Sequence, residues 1–217
     1  MPRLPWMMMR HGRQGVPTID PFAPHLSPTL ARGIKEFLVG PRVQEINFDF
    51  GSVLVHAPYF TAISRLFVGG LYEKGIHVVV HPVMLMQEDA VAMYVTEYDT
   101  MYFENTQVLD DEEGRATALH ECVHVVCDYR RRVTAIRSEE GAAIVAEAWY
   151  WLSSDEEVIY DYYSDSIWEI ADRLRNRWLK TRAPVDLRGS EINAARAEAA
   201  RFGIENGTYA HNGIVGD

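Results

Sequence analysis

The sequence predicts an α+β domain, with a small, mostly antiparallel sheet packed on one central helix and a helical carboxy-terminal half. Three observations predict it. Short alternating or β-branched stretches at 43–55, 76–80, 90–97 and 100–103 all fall in the first half. After position 115 the apolar residues recur at helical spacing over 116–129, 139–148, 155–179 and 190–202. A length of 217 residues, 47% of them hydrophobic, sustains one full core. The expected organisation is an irregular arm over 1–28, a single domain over 29–202 and a turn-rich tail over 203–217.

The arm follows from Pro2, Pro5, Pro17, Pro21, Pro24 and Pro28, which leave little apolar periodicity between them. Ser27-Pro28 then reads as an N-cap with proline at the first helical position. Leu30, Ile34, Phe37 and Leu38 share the inner face of a helix that stops near Gly40-Pro41. Over 43–55, Ile46, Phe48 and Phe50 alternate with Asn47 and Asp49 as in a half-buried strand, and Gly51-Ser52 is placed to turn it into a second short one. Pro58 opens a helix expected to reach position 71, with Phe60, Ile63, Leu66 and Phe67 inward.

Ile76–Val80, bounded by Gly75 and Pro82, reads as a strand, and 90–97 and 100–103 as two more joined at Tyr98-Asp99. The run Asp110-Asp111-Glu112-Glu113 lacks the alternation and glycine of a calcium loop, so it reads as negative charge at the start of the next helix. That helix, 116–129, has Leu119, Val123, Val126 and Cys127 on both sides of a polar pair. Further helices follow at 139–148, with Ser138 as N-cap, at 155–179 through Val158, Ile159, Tyr162, Ile167, Ile170, Leu174 and Trp178, and at 190–202. Asn206-Gly207 and Asn212-Gly213 make the tail turn-like.

The polar pair belongs to His120-Glu121-Cys122-Val123-His124, the pattern H-E-x-x-H. Residues four apart on a helix lie one above the other, so His120 and His124 present two imidazoles to one point with Glu121 beside them. That is two of the three protein ligands of a catalytic zinc, with its general base. A helix so apolar does not tolerate unpaired imidazoles cheaply, and coordination or hydrogen bonding removes the penalty.

The third ligand needs a separate source. The H-x-x-G-x-x-H extension is absent, since the chain continues Val125-Val126-Cys127-Asp128-Tyr129-Arg130. Glu139, Glu140 and Glu147 lie on the next helix, within reach if it folds back. Glu140 is the choice because it opens a run that sets a carboxylate above Ala143 and Ala146 on a close-packed face, and Glu147, one heptad on, is the competing ligand. Glu139 reads as a first-turn or surface charge on an exposed helix. Asp128 suits a hydrogen bond to a ligand or a neighbouring Arg, or is an ordinary helix-end polar residue. As oxyanion stabilisers the tail offers Tyr209 and His211, but no spacing rule selects them and they read as surface residues.

A net charge of -10 disfavours nucleic acid and anionic membrane as partners, because both reward clustered Lys and Arg. Arg130-Arg131-Arg132 with Arg137 reads as charge complementing the end of the preceding helix. Cys122 and Cys127, five apart on one helix, point in different directions and make a poor disulfide. With no apolar run of membrane-spanning length and no signal peptide in the first residues, a cytoplasmic protein is expected; export as an effector without a cleaved signal is compatible.

The motif with Glu140 following resembles the zincin metallopeptidases of the gluzincin kind. The longer pattern His120-Glu121-x-x-His124-x-x-x-Asp128, then Glu140-x-Ala142-Ala143-x-x-Ala146, resembles a set of small bacterial H-E-x-x-H proteins that includes toxin domains. The resemblance covers about 76–150. It implies a compact zincin-like fold, a zinc ion on His120, His124 and Glu140, and hydrolysis of a peptide or protein substrate with Glu121 as general base. It also implies an edge strand, 90–97 or 100–103, that binds extended peptide by strand addition. Two variants of this function are an effector peptidase with one dedicated protein target and a non-catalytic zinc-binding interaction module.

Overall fold

The computed structural model describes residues 24–70, 72–87, 90–154, 161–211 and 213–214. Strand β1 (His25–Leu26) leads into helix α1 (Pro28–Leu38), where Ser27 caps the Leu30 amide and Leu30, Ile34 and Leu38 are buried. The last residues of the predicted arm are thus part of a sheet, while positions 1–23 lie outside the described residues. A short helix α2 (Pro41–Gln44) precedes the hairpin β2 (Phe48–Phe50) and β3 (Val53–Val55), so the expected strand over 43–55 begins later and folds at Gly51-Ser52.

Helix α3 (Ala57–Ser64) stops well before position 71, because the chain straightens into β4 (Phe67–Val68), which pairs with β5 (Ile76–Val80). Phe67 satisfies a helical and a strand reading equally well. Its burial comes from the sheet. Helix α4 (Pro82–Gln87), strand β6 (Ala92–Val95), a 3-10 turn at Thr96–Tyr98 and strand β7 (Thr100–Phe103) complete this part.

The main sheet runs β1-β5-β7-β6, with β4 beside β5. It is mixed, not mostly antiparallel: β5 lies parallel to both β4 and β7, while β1 and β6 run antiparallel to their neighbours. Alternation reports which face a residue takes and carries no information on strand direction, so the sequence pattern could not give this. Between the two candidate edge strands the topology is unequivocal. β7 is interior, and β6 is the edge beside the next helix.

Helix α5 (Glu112–Tyr129) carries the motif. Asp111 caps it through the Gly114 amide at 2.8 Å, and buried Glu112 bonds Arg42 and Arg115, so the acidic run forms the cap and first turn of a helix that starts earlier than 116. Strand β8 (Val133–Ala135) lies between the predicted helices 116–129 and 139–148, where the sequence reading placed no strand. Helix α6 (Ile136–Leu152) then starts behind Ala135; Ser138 is not its N-cap but accepts a hydrogen bond from Arg196.

The remaining elements are helix α7 (Asp165–Thr181), strand β9 (Val185–Asp186), helix α8 (Gly189–Arg201) and strand β10 (Thr208–Ala210). Of the expected helix over 155–179, Val158 and Ile159 fall outside the described residues and Tyr162 precedes α7 in a turn. β9 adds to β2 in parallel, and β10 pairs antiparallel with β8.

Every residue of α6 from Ser138 to Trp151 is buried, and it packs against α5, α7 and α8. Its small residues make this possible: a Cβ on Gly141 would stand 3.0 Å from Phe50 and 3.1 Å from the backbone of Ala195 on α8. The larger hydrophobic core runs from α1 through the main sheet and the β3-β2-β9 sheet to α8, and a smaller cluster gathers Leu85, Ala90, Met93 and Val95. Among the described residues no helix is long and apolar enough to cross a membrane.

Candidate metal centre

The helix periodicity of α5 puts His120 and His124 on one face, and their ring centroids stand 5.3 Å apart. What faces them is α6. Glu140 Oε2 lies 3.4 Å from His120 Nε2 and 3.6 Å from His124 Nε2. Donor atoms bound at about 2.0–2.1 Å in a tetrahedron stand roughly 3.3 Å apart, so Glu140 is spaced from both histidines much as zinc ligands are from one another. All three offer an atom within 4.8 Å of the others, and no fourth His, Cys, Asp or Glu among the described residues joins that group.

The opposite ring nitrogens are held as well. Glu147 Oε2 lies 3.0 Å from His120 Nδ1, and Glu139 Oε1 lies 2.8 Å from His124 Nδ1. A carboxylate on Nδ1 keeps the proton there and leaves the Nε2 lone pair for a metal, which is the usual support of a ligating histidine. Glu147, the competing candidate, thus meets the other side of the same ring from Glu140. Glu139 does stand in the first turn of α6, but it is not an exposed charge. It is 1% exposed and also bonds Thr134 Oγ1 and, at 2.8 Å, His211 Nε2.

Electrostatics follow from this crowding. Burial alone would lower the pKa of His120, but the hydrogen-bonded carboxylates of Glu140 and Glu147 outweigh it and raise it to about 9. His124 is raised in the same way, against burial, by Glu140 and Glu139. Burial pushes Glu140 up, yet the imidazolium charges of His124 and His120 bring it down to about 2. In the absence of a cation the cluster therefore holds protons where a metal would sit.

Glu121 projects toward β6, where its Oε2 accepts the Tyr94 amide at 2.7 Å. Burial and the nearby Glu140 charge raise its pKa above the ordinary carboxylate value, with the two histidines opposing. The Tyr94 hydroxyl donates to Asp128 Oδ2 at 2.7 Å, so one residue of the edge strand grips two acids of α5.

Tyr209 and His211 are not the expected surface residues. The Tyr209 hydroxyl lies 3.4 Å from Glu140 Oε1 and its ring meets His124 edge-on. Tyr94 and Thr134 escaped the sequence reading, and Glu139, Tyr209 and His211 were named in it but assigned away from the site. The one signal available was the two-residue spacing of Tyr209 and His211, which puts both on one side of an extended chain. Against protein-family models, curated proteins and solved structures, the chain matches none.

Proposed function

We propose that the protein is a zinc-dependent peptidase of the zincin kind, with His120, His124 and Glu140 as ligands and Glu121 as general base. The observation that carries this reading is the double hold on each imidazole: both Nε2 atoms converge on Glu140 Oε2 while each Nδ1 has its own carboxylate. Three candidate ligands and no fourth among the described residues leave one coordination position for water, as a catalytic site needs and a closed structural site does not. Bound there, zinc would supply a water of lowered pKa and a charge that polarises a peptide carbonyl.

The chain's own residues provide the rest. Tyr94 holds Glu121 through Oε2, so Oε1 is the oxygen that takes the water's proton and later delivers it to the leaving amine. The raised pKa of Glu121 suits both halves of that transfer. An extended peptide added along β6, the edge of the main sheet, is the substrate geometry this reading requires, with the Tyr94 amide held by Glu121. Two free, buried cysteines fit a reducing compartment.

Metal analysis of the purified protein and cleavage of a mixed peptide library test the reading together. Stoichiometric zinc, lost in His120→Ala, is expected. Glu121→Gln is expected to keep the zinc and lose turnover by about 10²–10⁴-fold or more. Wild type without stoichiometric metal, or His120→Ala binding zinc as well as wild type, would overturn it. Growth arrest on expression that vanishes in Glu121→Gln would identify the effector form of the same chemistry.

A further inference from the structure

The segment after α8 lies against the metal centre at three points. β10 pairs with β8 so that Tyr209 faces Thr134, and the two strands reach neighbouring acids of α6, Thr134 bonding Glu139 and Tyr209 meeting Glu140. Tyr209 points its hydroxyl at Glu140 Oε1 at 3.4 Å. His211 Nε2 lies 2.8 Å from Glu139 Oε2, the carboxylate whose other oxygen holds His124 Nδ1. The Gly213 amide donates to Asp128 Oδ1 at 3.0 Å, one helical turn beyond His124 on α5. Tyr209 and His211 are two apart, the period at which an extended chain presents successive side chains to one face, whereas Gly213 reaches Asp128 through its backbone amide.

Two further features fix the segment in this place. Ile214 is buried in the main core. Gly213 has φ +81°, and a Cβ there would stand 2.3 Å from Arg131 Nε, so the turn back toward Asp128 suits glycine. None of these contacts belongs to α5 or α6 themselves, and without them Glu139 and Asp128 would lose partners inside the protein.

We propose that this segment is a clasp whose residues position the ligands from outside: Tyr209 orients Glu140, His211 orients Glu139 and through it His124, and Gly213 anchors Asp128. Zinc binding and docking of the clasp are then coupled, and each strengthens the other. This rests on the metal reading above. Tyr209 and His211 act here as positioning residues, because they reach the metal through the carboxylates they hold.

The test is amide hydrogen exchange on the full wild-type chain, stripped by chelator and then loaded with zinc. Amides of Thr134, Tyr209 and Ala210 should slow by about tenfold more than those of the β2–β3 hairpin, in the range of ordinary coupling. Zinc affinity, read by competition with a chelator, should fall about 10–100-fold in His211→Ala. It should recover in His211→Gln, whose amide keeps a donor, and the cobalt(II) absorption spectrum should shift in the alanine variant and return in the glutamine one. Uniform slowing across the molecule, or equal zinc affinity in His211→Ala, overturns the clasp and leaves the metal reading standing. Wild type that takes up no metal overturns both. If His211→Ala does not fold, the exchange measurement on wild type decides alone.

Discussion

His120 carries a carboxylate on each ring nitrogen, and the two have different roles. Glu140 faces the Nε2 lone pair and Glu147 accepts from Nδ1. Glu140→Ala should therefore abolish stoichiometric zinc, whereas Glu147→Ala should keep it with affinity lowered about 10–100-fold; titration against a competing chelator separates the two. Equal losses would mean that Glu147 is itself a ligand. The protonation of the pair also sets a pH dependence for the metal-free protein. His120, raised from 6.5 to about 9, contributes stability that is full below 6.5 and is lost as pH rises through 9. Glu140, lowered from 4.5 to about 2, contributes stability present above 4.5 and lost as pH falls through 2. Melting curves of the metal-free protein should thus peak between 4.5 and 6.5 as far as this site is concerned. Zinc needs neutral imidazoles and displaces their protons, so its stabilising effect should grow with pH above that window.

At the scale of elements, α6 is the centre of the molecule. It brings Glu139, Glu140 and Glu147 to α5 on one side and meets α7 and α8 on others. Close approach depends on Gly141. Alanine there would gain about 1 kcal/mol of helix propensity, but its Cβ would press on Phe50 and the Ala195 backbone at 3.0–3.1 Å. Overpacking of that kind costs about 1–3 kcal/mol, so Gly141→Ala should be net destabilising in a denaturant titration. A second element-scale prediction concerns Trp149, fully buried and stacked on Phe48 of β2 at 6.0 Å. Trp149→Ala should cost about 3–5 kcal/mol in the same measurement.

Over the whole molecule, the site and the core share α5 and α6, so the metal should stabilise the entire fold. At a free zinc concentration of about 100 times Kd the gain is about 2.7 kcal/mol. For a chain of this size that corresponds to a rise in Tm of roughly 5–10 °C, reversed by chelator. An unchanged Tm with zinc bound would mean that the metal site forms without drawing on the packing of α5 against α6.

His120, Glu121 and His124 were legible in the sequence because a helix sets their relation locally: four residues make one turn, whatever the rest of the chain does. The α+β class was legible for a similar reason, since periods of two and of 3.6 are properties of single elements. The choice between Glu140 and Glu147 was not, because both lie on one face of α6 and differ by about 10 Å along its axis. Only the way α6 seats on α5 decides which meets Nε2. The clasp lay further out of reach: Thr134 and Tyr209 are partners across the β8–β10 pairing although far apart in the chain. By itself the sequence determined that two imidazoles share one helical face with a carboxylate, Glu121, beside them. The tertiary structure decided which acids stand against each nitrogen, because those distances depend on the packing of separate elements and no local period encodes them.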